Sequence, residues 1–255
     1  MESITGTEAN EIWKINSLRY TIFPKPNYIF DNDSWQKIVG TLPDNVSFQL
    51  KNQIKHFDGV YDSGKFIIDV DPSRIHLVFT PGNDLQENNP GLINLGGYDE
   101  TSKVFISLID KWLSLDNCPT VNRMAVGGQL FIPVESKVEG YKNLCKFLHT
   151  VTIDPENSSE FLYQINRPRK SLNTEKELLI NRLSKWQVLI FENAIQDASV
   201  KNTSQKIIAS QYGMSLEFDM NTQGDFQGDL NPGDQKLYFK ELLQLSNEIS
   251  VKGDV

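Results

Sequence analysis

Only two cysteines, three histidines and four methionines occur in the 255 residues, and each scarcity closes off a class of function. Cys118 and Cys145 stand in no metal-ligand spacing and are too few for a disulfide framework. The expectation is two reduced thiols in a cytoplasm. Basic residues are outnumbered as well: 25 Lys and Arg against 33 Asp and Glu give a net charge of −8. Neutralising phosphates requires clustered cations, so no nucleic-acid partner is expected. The densest basic cluster is Arg167, Arg169 and Lys170, interrupted by Pro168. A solvated loop explains it, and an anion site built from Arg167, Arg169 and Arg182 is the alternative.

Long apolar runs are missing too. No stretch approaches the ~20 apolar residues that span a bilayer, and the first residues lack the basic and apolar regions of a secretory signal. The expectation is a cytoplasmic chain with no membrane partner. Also absent are a Gly-x-Ser-x-Gly elbow, a His-Glu-x-x-His helix and a Walker loop. His149 follows Cys145 by four residues, a spacing that would put both on one helix face. Core and helix-end placement explains both residues without a Cys-His nucleophile.

What is present is a regular alternation of strands and helices. Residues 12–23 alternate apolar and polar with aromatic and β-branched side chains, which predicts a strand ended by Pro24 and Pro26. A short helix follows, capped by Asp33 or Ser34, carrying Trp35, Ile38 and Val39 and stopped by Gly40. Strand-like runs come next: Val46, Phe48 and Leu50; residues 57–70 around the Asp62-Ser63-Gly64 turn; and residues 74–79. Residues 81–100, rich in Gly, Asn and Pro, read as a long loop. Val104, Phe105, Leu108, Ile109, Trp112 and Leu113 recur at helical spacing, with Thr101 as the expected cap.

The order then starts again. Residues 121–134 predict a strand bulged at Gly127-Gly128. Ser136 and Glu139 predict a capping box that opens a helix with Val138, Tyr141, Leu144, Cys145 and Leu148 on its apolar face. Residues 161–165, 178–191 and 213–218 predict strands. A last helix from about Asp234 carries Leu237, Tyr238, Leu242, Leu245 and Ile249. The fold class expected is α+β: two similar lobes, 1–117 and 118–255, each strand–helix–three strands–helix. The sheet is expected to be antiparallel or mixed, with helices on one face.

This doubled order, the Val-Asn-Arg-Met-Ala-Val strand that opens the second half and the late Ser-Leu-Glu-Phe-Asp strand resemble a family of uncharacterised bacterial proteins. That family is sporadically distributed and has two similar α+β halves. The resemblance spans most of the chain through strand patterns, not catalytic signatures. It implies a prokaryotic cytoplasmic protein and brings no site with it.

Acidic residues supply the candidate chemistry. In residues 219–226, Asp219, Asn221 and Gly224 take the first, third and sixth places of a calcium loop, and Phe226 takes the eighth. Leu230 stands where a bidentate Glu belongs, so an Asp/Asn/Gly-rich surface loop is the better reading. Asp69 and Asp71 alternate on one strand face and together could chelate a hard cation. Asp71 precedes Pro72, which marks it instead as the start of a turn. The metal candidates are therefore Asp69, Asp71, Asp219, Asn221 and Asp225, with calcium or magnesium as the ion and no other cofactor expected. His56 and His76 would face each other if their strands paired.

These observations predict a non-enzymatic binding or assembly component of a bacterial system, partnered by a protein or by a second copy. The alternative is a metal-dependent hydrolase or nuclease built on the strand-end carboxylates.

Overall fold

The computed structural model describes residues 13–26, 28–82, 93–173, 176–197 and 204–254. It is an α+β architecture: four helices and a ten-stranded sheet in which every paired neighbour is antiparallel. In chain order the strands are β1 (Lys14–Pro24), β2 (Asn45–Gln49), β3 (Ile54–Tyr61), β4 (Gly64–Asp71), β5 (Arg74–Pro81), β6 (Val121–Val134), β7 (Leu162–Asn166), β8 (Arg169–Lys170), β9 (Leu179–Asp197) and β10 (Ser204–Thr222). The helices are α1 (Ser34–Val39), α2 (Tyr98–Leu113), α3 (Lys137–Phe147) and α4 (Pro232–Lys252). Among the described residues, no helix is long and apolar enough to cross a membrane.

Across the sheet the order is β2-β3-β4-β5-β1-β6-β10-β9-β7, with β8 alongside β9. The first strand in sequence therefore lies in the middle, bonded to β5 on one side and β6 on the other. Four strands, not three, separate α1 from α2, and the short β8 brings the count between α3 and α4 to four as well. The last hairpin is longer than expected, because β9 and β10 stay paired from Ile180–Thr222 out to Asp197–Ser204. Of the expected loop at 81–100, residues 83–92 lie outside those described.

Period-two patterning gives the sheet one dry face. Phe66, Ile68 and Val70 on β4, and Ile75, Leu77 and Phe79 on β5, are buried, while the residues between them are half-exposed. Each helix meets that dry face. Trp35 of α1 packs on Phe66, and Phe239 of α4 packs edge-on against Tyr20 of β1 with ring centroids 5.3 Å apart. Phe147 of α3 stacks on Trp186 of β9, and Lys111 of α2 reaches the Tyr61 hydroxyl of β3.

Helix α4 ties the layers together. Asn231 and Asp234 exchange hydrogen bonds across its first turn as a capping box, which satisfies donors that would otherwise be orphaned. Further along, Gln235 accepts from the Tyr20 hydroxyl and donates to the Pro119 and Leu230 carbonyls. Ser246 bonds the Tyr98 hydroxyl of α2, and the Ser250 carbonyl accepts from the Trp13 indole at 2.8 Å. Apart from Leu230, just before the helix, these buried partners lie 116 to 237 residues away in sequence.

Several local expectations are corrected by packing. The N-cap of α2 is Gly97; Thr101 lies inside the first turn and donates its hydroxyl to the Leu95 carbonyl. Asp33 occupies the cap position of α1 without bonding as a cap. Ser136 does cap α3, but the Glu139 carboxylate bonds the N–H of Glu135, one residue before the cap. Leu237 is exposed, and Phe239, outside the expected stripe, is buried. Cys145 is exposed, and His149 lies beyond the end of α3, so the two share no helix face.

Gly127 and Gly128 sit in unbroken register rather than in a bulge; the irregularities of the β1–β6 pair fall at Ile15/Ser17 and Phe23/Pro24. Both glycines answer to close approach. On the dry face a Cβ at Gly128 would lie 2.6 Å from the Phe218 ring and 3.0 Å from Leu18. Gly128→Val is therefore expected to cost about 1–3 kcal/mol by overpacking. Urea unfolding would show it as a lower midpoint at unchanged slope. Gly82→Ala, at a position with open space around it, is the control expected to stay within ~0.5 kcal/mol.

Candidate functional site

Among the described residues one face of the sheet carries no helix, and on this helix-free face polar side chains recur in rows that run perpendicular to the strands. Register alone aligns the first row: His56 of β3, Asp69 of β4, His76 of β5, Thr21 of β1, Ala125 of β6, Asn221 of β10 and Asn181 of β9. The second row runs parallel to it through Asp58, Ile67, Val78, Arg19, Gly127, Asp219, Leu183 and Asn166. Residues directly across an antiparallel pair stand about 5 Å apart, within reach of side-chain bonding.

At one end His56 is held by two carboxylates. Its Nδ1 lies 2.6 Å from Asp69 and its Nε2 2.6 Å from Asp58. Burial pulls the imidazole pKa down, and the hydrogen bonds to Asp69 and Asp58 more than offset it, leaving it above its ordinary 6.5. Burial likewise raises Asp58, but bonds from Asn45, Lys65 and His56 bring its pKa down to about 2. Asp58, Asp69, Lys65 and the His56 ring thus form a closed cluster of hydrogen bonds and ion pairs. His76 differs: burial, then Arg19 and Arg74, lower its pKa, and its Nδ1 is hydrogen-bonded to Thr21 at 2.8 Å. The two histidines share a row but do not meet, because β4 lies between their strands.

In the middle, Arg19 reaches over Gly127 to bond Asp219 of β10 at 3.0 Å. A Cβ at Gly127 would lie 2.9 Å from the guanidinium, so the glycine is what opens the crossing. Asp219 also accepts from the Asn221 amide at 2.7 Å. Asn221 in turn accepts from Arg123 and from Asn181, whose own Oδ1 accepts from Asn166. Arg123 lies over the Phe23 ring, 5.1 Å from its centroid, an additional hold on its guanidinium.

The candidate metal residues are placed apart. Asp219 and Asn221 belong to β10, which runs to Thr222, and not to a loop. Extended backbone puts them side by side on one face, so the calcium-loop spacing has no curled loop to close it. Asp225 lies beyond the strand, where its carbonyl accepts from Gln227. Asp71 opens the β4–β5 turn by accepting from the Ser73 and Arg74 backbone, the Ser73 hydroxyl and Arg74 Nε. Asp69 and Asp219 are four strands apart, about 19 Å at ordinary strand spacing, so no single ion or metal pair touches both. Among the described residues, no group of three or more His, Cys, Asp and Glu stands close enough to hold a metal ion.

Arg167, Arg169 and Arg182 do come together, at the C-terminal end of α4. Arg169 lies 3.4 Å from Glu248, Arg182 4.0 Å from the same carboxylate, and Arg167 3.6 Å from Asp254. Asp254 is fully buried at its side chain and accepts from the His149 N–H and the Thr150 and Tyr163 hydroxyls. These carboxylates already oppose the guanidiniums and fasten the end of α4 to α3 and β7. Burial pushes the Cys118 thiol up to about 12.

The rows missed in the sequence have one local signal, polar residues at alternate strand positions. Which of them meet is set by strand order, which no local pattern carries.

Because the His56 pKa is raised, its stabilising effect is complete below about 6.5 and fades as pH rises through the folded value. Asp58, depressed to about 2, stabilises above its ordinary value and loses that effect as pH falls toward 2. Stability contributed by the cluster is thus greatest between about pH 4 and 6.5. His56→Gln is expected to remove the decline on the alkaline side. Urea midpoints across pH 5 to 9 that fall equally in both proteins would refute the assignment.

No protein-family model, no curated protein and no solved structure matches the chain, so the chemistry of this face rests on its own residues.

Proposed function

We propose that the protein is a non-enzymatic binding or assembly component of a bacterial cytoplasmic system, and that the helix-free face of its sheet is the binding surface. One observation carries this reading: polar groups of that face are bonded in pairs across strands, His56 to Asp69, Thr21 to His76, Arg19 to Asp219 and Asn181 to Asn221. Catalytic groups converge on a space where a reacting atom sits and keep a lone pair or proton to give. Here the His56 ring has both nitrogens bound to carboxylates, which leaves it no basic site. A fixed array of charges and amides instead supplies specificity at little ordering cost.

Two further features support the reading. Outward from β1 the sheet runs β5, β4, β3; outward from β6 it runs β10, β9, β7. The shared first two steps, from the first strand of each half to its last and then its next-to-last, support an internal duplication with the Arg19–Asp219 crossing near its centre, while β7 rather than β8 takes the third place. The two cysteines, unpaired in the structure, accord with a reducing compartment.

The test is capture from the native host followed by lysine crosslinking and mass spectrometry. Partner crosslinks are expected at Lys65 and Lys185, which lie on the helix-free face. Arg19→Met is expected to weaken capture at least ~10-fold while barely changing stability, since a half-exposed ion pair is worth under about 1 kcal/mol. Crosslinks confined to the helices, or undiminished capture by Arg19→Met, would overturn the proposal.

A further inference from the structure

Each half supplies five strands, but the first half reaches one position further across the sheet, because β8 lies alongside β9 rather than outside β7. Beyond β3 lies β2, and among the described residues no strand lies beyond β7. Among the described residues β2 pairs on one side only, and all five of its residues are exposed. Natural edge strands are usually blunted by a lysine, a proline or a bulge. Within Asn45–Gln49 there is none: Val46 and Phe48 alternate with polar residues, and β2 keeps unbroken register with β3.

Register places these apolar residues on the dry side. Val46 lies opposite Phe57, a buried core residue of β3, and Phe48 lies opposite Lys55. Val46 is nonetheless 60% exposed and Phe48 52% exposed, because the core stops at this edge. Phe48 and Leu50 also line a cleft of about 450 Å³ with Tyr28, Ile29 and Phe30. The apolar layer is thus cut off in the middle of a side-chain row.

We propose that β2 pairs antiparallel with β2 of a second copy about a two-fold axis at Ser47, making one continuous sheet. Three features select a second copy as the occupant. Antiparallel pairing about Ser47 sets Val46 opposite Phe48 of the other chain, and the reverse, so each copy supplies the apolar group that the other leaves exposed. An axis normal to the sheet keeps both dry faces on the same side, so the core row continues from Phe57 through Val46 to the second Phe48. The strand is also charge-complementary to itself, with Asp44 before its N-terminal end and exposed Lys51 beyond its C-terminal end. One Asp44 oxygen is already engaged on the paired side, where it accepts from the Val60 N–H of β3 at 2.8 Å. This inference is independent of the helix-free face, which would remain open in the paired form.

Sedimentation equilibrium between about 1 and about 300 μM at moderate salt covers the affinities expected of a contact of this modest size. The wild-type chain is expected to pass from monomer to dimer in that range. Val46→Lys with Phe48→Lys should weaken association at least ~30-fold, and because both sites are exposed the thermal midpoint should hold. In a Cys145→Ser background, which removes the exposed native thiol, Ser47→Cys should give a disulfide-linked dimer on mild oxidation. A wild-type chain that stays monomeric throughout overturns the proposal. So does a lysine variant that associates like wild type, or a Ser47→Cys chain that fails to crosslink.

Discussion

One-sided burial of the sheet is the constraint on which the rest of this structure depends. Four helices cover one face, and strands such as β4 and β5 divide by alternation into a dry set and a wet set. A slip of one residue in any register would exchange the two sets completely. Dry-face packing therefore fixes which polar residues stand beside each other on the wet face. The row from His56 to Asn181 follows from keeping Phe57, Ile68, Leu77, Tyr20, Val126, Met220 and Ile180 in the core.

The centre of the sheet shows how closely the two faces are coupled. Gly127 and Gly128 are adjacent on β6 and point to opposite sides. One leaves room for the Arg19 guanidinium to cross to Asp219, and the other receives the Phe218 ring. A side chain at either would push apart strands that belong to different halves of the chain. Helix α4 works at the same seam, since Trp13, Tyr20 and Tyr98 all bond to it from the first half. A continuous hydrogen-bonded sheet and a shared helix bind the halves, whatever their origin.

Much of the element order was legible because its signals are local. The α2 stripe of Phe105, Leu108, Ile109, Trp112 and Leu113 is buried as the 3.6-residue spacing requires. Ser136 caps α3, and β7 forms close to where the Phe161-Leu162-Tyr163 alternation placed it. Local signals mislead where composition imitates a different structure. Asp219 and Asn221 read as a loop because Asp, Asn and Gly crowd residues 219–228, yet pairing to β6 and β9 carries the strand through Thr222. Cys145 fitted the α3 stripe by spacing, but the helix turns it outward.

By itself the sequence determined the classes of local structure, the scarcity of metal and redox ligands, and the alternation that gives each strand a wet face. Those are properties of neighbours in the chain, and short-range sterics and hydrophobic periodicity are enough to set them. Only the tertiary structure decided that β1 sits in the middle and β2 at the rim. It decided too that β4 separates His56 from His76 and that Arg19 meets Asp219 across 200 residues. Contacts at such separation arise from how whole strands are ordered. That order is chosen by burying one common core, a sum over all elements that no single segment expresses.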